Sequence, residues 1–234
     1  MKNYHFRQVL LVFVLLIGLV SPLRSASAAD GGVLPEFPDF VRTVKDGQAK
    51  MVRGVYVPET LALRVVQQPE DDPGAVTRAD GVATQFSQAA LNHVIGLLAH
   101  NDLAGASFSK LQIGQEVRII YGNGRVEYYL VNRLARYQAL WPGSQNEEYI
   151  DLLSNITYSP QDIFKMFYDG DVHVTFQTCI FQNGDASWGR FFVTAIPVPL
   201  IYQRKFQASG FMFGLANPNV EIHLGALTWD WRLR

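Results

Sequence analysis

A single thiol, Cys179, directly follows Thr178 at the end of an apolar run, and Arg190 comes eleven residues later. A thiol becomes a nucleophile when it is deprotonated and its neighbours stabilise both the thiolate and the oxyanion formed by attack on a carbonyl. Arginine suits the second task, because its planar fork of donors is permanently charged. If the run ending at Cys179 pairs antiparallel with the run opening at Arg190, the guanidinium comes near the sulfur. Read alone, the cysteine is equally well a buried small hydrophobe and the arginine an ordinary surface residue of a strand edge.

A proton carrier for that thiol would come from His93, His100 or His173. His173 is six residues back on the same run, roughly 20 Å at ~3.3 Å per residue, too far to share a proton. His93 and His100 flank the apolar segment Val94 to Leu98 and belong at opposite ends of it. His100 faces a loop of small residues around Gly105, the kind of rim position where reacting groups are held. By itself it would pass for a capping or core histidine.

The elements that must position these groups are mostly strands. Val52 to Val57 and Leu61 to Val66, broken by Pro58, read as strand, turn, strand. Pro69 to Gly81 is an acidic surface loop, and its Asp71-Asp72 pair reads as solvated rather than as a cation site. Glu116 to Tyr121 and Arg125 to Val131 alternate around Gly122-Asn123-Gly124, a hairpin signature. Ser159-Pro160-Gln161-Asp162 opens the one convincing helix, with an N-cap, a proline at the first position and a capping-box acid. Val172 to Cys179 and Arg190 to Ile196 are strands joined by a polar loop, Phe181 to Gly189. The expectation is an all-β domain with few short helices, as a closed barrel or a sandwich.

The N-terminus carries Lys2 and Arg7, then an apolar run from Val9 to Val20, then Ala26-Ser27-Ala28, which is the order of a signal peptide. An uncleaved anchor, tethering the domain to a membrane through residues 9–20, is the alternative. Removing residues 1–29 takes away Lys2, Arg7 and Arg24, so 20 basic residues become 17 against 21 acidic ones and the net charge becomes −4. That balance argues against a nucleic-acid partner. Residues 30–50, with Pro35 and Pro38, read as a linker, and residues 51–234 as one domain. With one cysteine the chain forms no internal disulfide. The expected location is extracellular or at the cell surface.

The order His100, then Thr178-Cys179, then Arg190, together with Phe108, Leu111, Gly114, Val117, Tyr129 and Val131, resembles the sortases. The resemblance runs from about Met51 to Ile196. There are departures: Ala99-His100 replaces the usual Gly-His, Phe176-Gln177-Thr178-Cys179 the usual Leu-x-Thr-Cys, and Gln115 the usual acid. These point to a divergent branch whose peptide motif differs. The resemblance implies a sortase-like closed β-barrel without metal or organic cofactor, with Cys179 as nucleophile, His100 as general acid and Arg190 holding the carbonyl oxygen. It implies Thr178 and Asn101 as substrate-binding residues. The partners would be secreted proteins carrying a short sorting motif and a cell-surface amine acceptor. Resolution by water would instead make a cysteine peptidase, and a barrel that lost the chemistry would be a surface binding module. The tail after Ile196, with Trp229-Asp230-Trp231, has no assigned role.

Overall fold

A computed structural model describes residues 33–142 and 147–199. The segment read as a signal peptide and the tail containing Trp229 and Trp231 lie outside the described residues. Ten strands and four short helices account for the regular structure described.

The barrel is built by adding strands around a closed circuit. Strand β1 (Val52–Val57) pairs antiparallel with β2 (Leu61–Gln67), with Val55 opposite Leu63. Strand β3 (Val82–Gln85) lies parallel to β2, and β4 (Ile95–Leu98) antiparallel to β3. On the other side of β1 come β5 (Glu116–Tyr121) and β6 (Val126–Ala139), joined by the expected hairpin. The later strands β9 (Val174–Gln182) and β10 (Asp185–Pro197) form an antiparallel pair. Strand β9 inserts parallel against β4, and β10 pairs with β6, which closes the circuit. The result is a closed barrel and not a sandwich.

Alternation along the strands fills its interior. Val55, Val57, Leu63, Leu97, Val117, Ile119, Phe176 and Val193 are buried in one cluster. A second apolar layer lies outside the barrel wall, beneath helix α4 (Pro160–Tyr168). That helix starts where the sequence indicates: Ser159 Oγ accepts from the Asp162 amide while the Asp162 carboxylate accepts from the Ser159 amide. Phe167 stacks on Phe192 of β10 with centroids 4.1 Å apart and planes 6° from parallel.

Three features differ from the sequence-based expectation. Residues 30–50, read as a linker, contain helix α1 (Phe37–Val44), whose Phe40 and Val44 are buried against Tyr56 and Ile120. The spacing of Phe37, Phe40, Val41 and Val44 is that of an amphipathic helix, and Pro38 occupies its first turn, where proline is tolerated. The expected loop from Phe181 to Gly189 is largely strand. The chain reverses at Asn183-Gly184, both with positive φ (54° and 83°), so β9 runs on to Gln182 and β10 begins at Asp185. Strand β6 also continues past Val131 to Ala139, where it takes up β7 (Tyr149–Asp151), which in turn pairs with β8 (Thr157–Tyr158).

Candidate active site

Cys179 and Arg190 are direct cross-strand partners in the β9/β10 ladder, so their side chains stand on one face of the sheet. That face is the outer one. Val174 and Phe176 on β9, and Phe191 and Val193 on β10, belong to the barrel interior, and Cys179 and Arg190 have the opposite parity. Cys179 is half-buried and unpaired.

His100 follows β4 on the other flank of β9. In the parallel ladder Leu98 is level with Gln177, and the Ala99 amide extends it by donating to the Gln177 carbonyl at 3.2 Å. Continuing that register sets His100 level with Cys179. Ile95, Leu97 and Ala99 face the core, so His100 has outward parity as well. Its Nε2 lies 3.2 Å from the carbonyl of Val76 in the acidic loop. A carbonyl only accepts, so Nε2 is the donor of that contact. Beside it, the exposed Asp102 carboxyl is held below its ordinary range, first by a hydrogen bond from Arg78 and in smaller part by His100.

The other histidines lie elsewhere. His173 immediately precedes β9, at the end away from Cys179, with its ring nitrogens against the Asp171 and Phe167 carbonyls. His93 is exposed before β4, in a left-handed conformation with φ of 61°.

Thr178, expected against substrate, turns the other way. Successive residues of a strand face opposite sides, so an outward Cys179 forces an inward Thr178. The residue is 5% exposed, and its Oγ1 is buried with no hydrogen-bond partner among the described residues. The oxygen packs on Gly105 of the short helix α3 (Gly105–Phe108), where an added Cβ would come within 2.3 Å of it. Asn101 sits beside His100, and its Nδ2 donates to the Ala186 carbonyl at 3.4 Å.

Arg190 is held on two sides. One terminal nitrogen, Nη1, donates to the carbonyls of Ser187 (3.0 Å) and Gly189 (3.1 Å), and Nη2 reaches Glu147 Oε1 at 3.5 Å. Glu147 is a buried carboxylate whose other oxygen accepts from the Tyr149 hydroxyl at 2.5 Å. Burial first, and that bond second, push the Tyr149 phenol above its ordinary range; Arg190 opposes the shift and Cys179 adds to it. Neither Glu147 nor Tyr149 was singled out in the sequence. Glu147 lies just before β7 and Tyr149 opens it, 30 or more residues from Cys179 and from Arg190, and no local pattern marks them.

Among the described residues no three His, Cys, Asp or Glu side chains gather as a metal site, and no helix is long and apolar enough to cross a membrane.

No protein-family model matches the chain, and no curated protein matches it. Solved structures do, and those below are sortases. Sortase A of Listeria monocytogenes is similar at 12% identity over 66% of this chain and 96% of its own, with a TM-score of 0.40. A sortase D5 transpeptidase of Clostridium perfringens is similar at 13% identity over 70% and 90%, with a TM-score of 0.41. Sortase C-1 of Actinomyces oris is similar at 13% identity over 72% and 83%, with a TM-score of 0.43.

Proposed function

We propose that the chain is a sortase-like cysteine transpeptidase acting outside the cell. The observation that carries this reading is the lateral row His100, Cys179, Arg190, the last two on the adjacent strands β9 and β10 and the first just past the end of β4 on the other flank of β9, all with outward parity. A proton carrier, a nucleophile and a fixed cation are the groups that acyl transfer at a peptide carbonyl requires.

In this reading the Cys179 thiolate attacks the carbonyl carbon of a short sorting motif in a secreted protein. A C–S bond forms as the carbonyl electron pair moves onto oxygen, where Arg190 donates to it. His100 protonates the departing amine as the C–N bond breaks, which leaves a thioacyl-enzyme. The amine of a cell-surface acceptor then attacks the thioester, loses a proton to His100 and expels the thiolate. Export through residues 1–29 brings the domain to these partners. Asn101 donates to the carbonyl of Ala186, one of three β10 residues (Ala186, Ser187 and Trp188) that bulge against Phe181 just before Arg190, and in this reading it would contact the substrate. Thr178 would act through its backbone, given its inward side chain.

The test is direct capture. The full-length protein is incubated with a library of peptides from secreted proteins and Cys179 is examined by intact mass. A thioacyl adduct present in the parent and absent from Cys179→Ala supports the reading. Absence of both an adduct and labelling by a vinyl sulfone favours the surface binding module.

A further inference from the structure

We infer that Glu147 is a positioning residue for Arg190, which together with the β10 bulge fixes the guanidinium so that part of its donor fork is left for the oxyanion. The inference rests on the acyl-transfer reading above. It comes from counting donors. A guanidinium has five N–H groups. Two of Arg190's are spent on the Ser187 and Gly189 carbonyls and one on Glu147. The Nε–H and one Nη2–H have no partner among the described residues, and across the ladder from them stands Cys179.

The carbonyls alone would fix one corner of the group and leave it free to swing about that corner. Glu147 supplies the second anchor. The Glu147 side chain is 10% exposed and that of Arg190 16%, so the pair is little screened by water. Its other oxygen is held by Tyr149, whose ring also lies 6.0 Å from the guanidinium carbon. A buried acid with a phenol on one oxygen and an arginine on the other is a rigid mount. Preorganised donors of this kind act on developing charge without reorganising at the moment of reaction.

The experiment needs no knowledge of the sorting motif. Cys179 of the full chain is acylated with p-nitrophenyl acetate: the thiolate attacks the ester carbonyl, an oxyanion forms, and p-nitrophenolate leaves with its electron pair. The same cysteine is separately alkylated with iodoacetamide, which displaces iodide and forms no oxyanion. The ratio of the two rates cancels thiolate content and access. Arg190→Ala is expected to lower that ratio at least about 10-fold, as loss of an oxyanion donor does. Glu147→Ala should lower it by a comparable factor in the Arg190 protein and by less than 2-fold when Arg190 is already alanine. Glu147→Gln keeps an acceptor oxygen and should restore the ratio in part; it also serves as the readout if the alanine variant fails to fold.

If Arg190→Ala lowers the ratio and neither Glu147 variant does, the positioning role is overturned while the transfer reading stands. If Glu147→Ala lowers the ratio equally with and without Arg190, it acts by another route and the inference is overturned. If Arg190→Ala leaves the ratio unchanged, the transfer reading itself fails.

Discussion

Arg190 faces Cys179 because three residues of β10, namely Ala186, Ser187 and Trp188, are set against the single residue Phe181 of β9. From the turn pair Asp185 and Gln182, an unbroken antiparallel ladder would put Trp188 opposite the cysteine. The bulge shifts the partner by two, which preserves the face and exchanges an indole for a guanidinium. The bulge residue Ser187 and the first regularly paired residue after it, Gly189, both offer their carbonyls to that guanidinium.

Arg190→Lys therefore tests the chemistry without moving the register. Lysine offers a point charge and no fork, so the barrel should melt as before and Cys179 should still label. Turnover of a cognate peptide should fall by ~10²–10³-fold. Full turnover in both Arg190→Lys and Arg190→Ala would remove the mechanism.

His100, His93 and His173 give a three-way comparison. His100→Ala should abolish peptide turnover, while His93→Ala and His173→Ala should leave it within about 2-fold, since neither borders Cys179. Normal turnover in His100→Ala with loss in either of the others would invert the assignment; progress curves at fixed enzyme concentration suffice.

Gly105→Ala probes the contact behind the cysteine. The new methyl would lie 2.3 Å from Thr178 Oγ1, 2.6 Å from the His100 carbonyl and 2.7 Å from the Ala99 carbonyl. Two of those three atoms are backbone, so the His100 segment itself must shift. Overpacking of this kind costs about 1–3 kcal/mol, read by urea denaturation, and slower turnover should accompany it. Adding Thr178→Ala removes only one of the three clashes and should recover only part of the loss.

The α4 cap has a pH signature. Two bonds from Ser159 hold the Asp162 carboxyl below its ordinary range, the side-chain bond being the larger cause. A depressed carboxyl stabilises the fold above its unfolded pKa of about 4 and loses that contribution as pH falls through the folded value. Ser159→Ala should lower the melting temperature most near pH 7, and the deficit should shrink by pH 3. An equal deficit at both values would show that the carboxylate takes no part.

Removing the stacked ring of Phe167 should destabilise the protein by about 3–5 kcal/mol. Chemical denaturation measures it, and a loss below about 1 kcal/mol would mean that α4 is dispensable to the barrel.

What could be read beforehand follows from how local each signal is. The β5/β6 hairpin and the α4 cap are written in four or five consecutive residues, and both were legible. The Asn183-Gly184 turn is equally local, yet the polar stretch around it reads as loop, because the bulge breaks the alternation that would mark a strand. Helix α1 hid behind Pro35 and Pro38, though its apolar spacing was present. The inward orientation of Thr178 follows from the outward one of Cys179 and required only the parity of a strand. Glu147 is different: its role depends on its meeting Arg190, 43 residues on in the sequence, and nothing within several residues of it reports that.

The insertion of β9 parallel to β4 and antiparallel to β10 has a kinetic consequence. Its hydrogen-bonding partner on one side is complete about 80 residues before Cys179 is made, and its partner on the other side is made only afterwards. Contacts this distant in the chain form late, because loop closure must be paid before they reward it. The row of His100, Cys179 and Arg190 thus comes into being with the final closure of the barrel. An unfinished chain holds the three residues apart, and in the proposed reading the site exists only once the fold is complete.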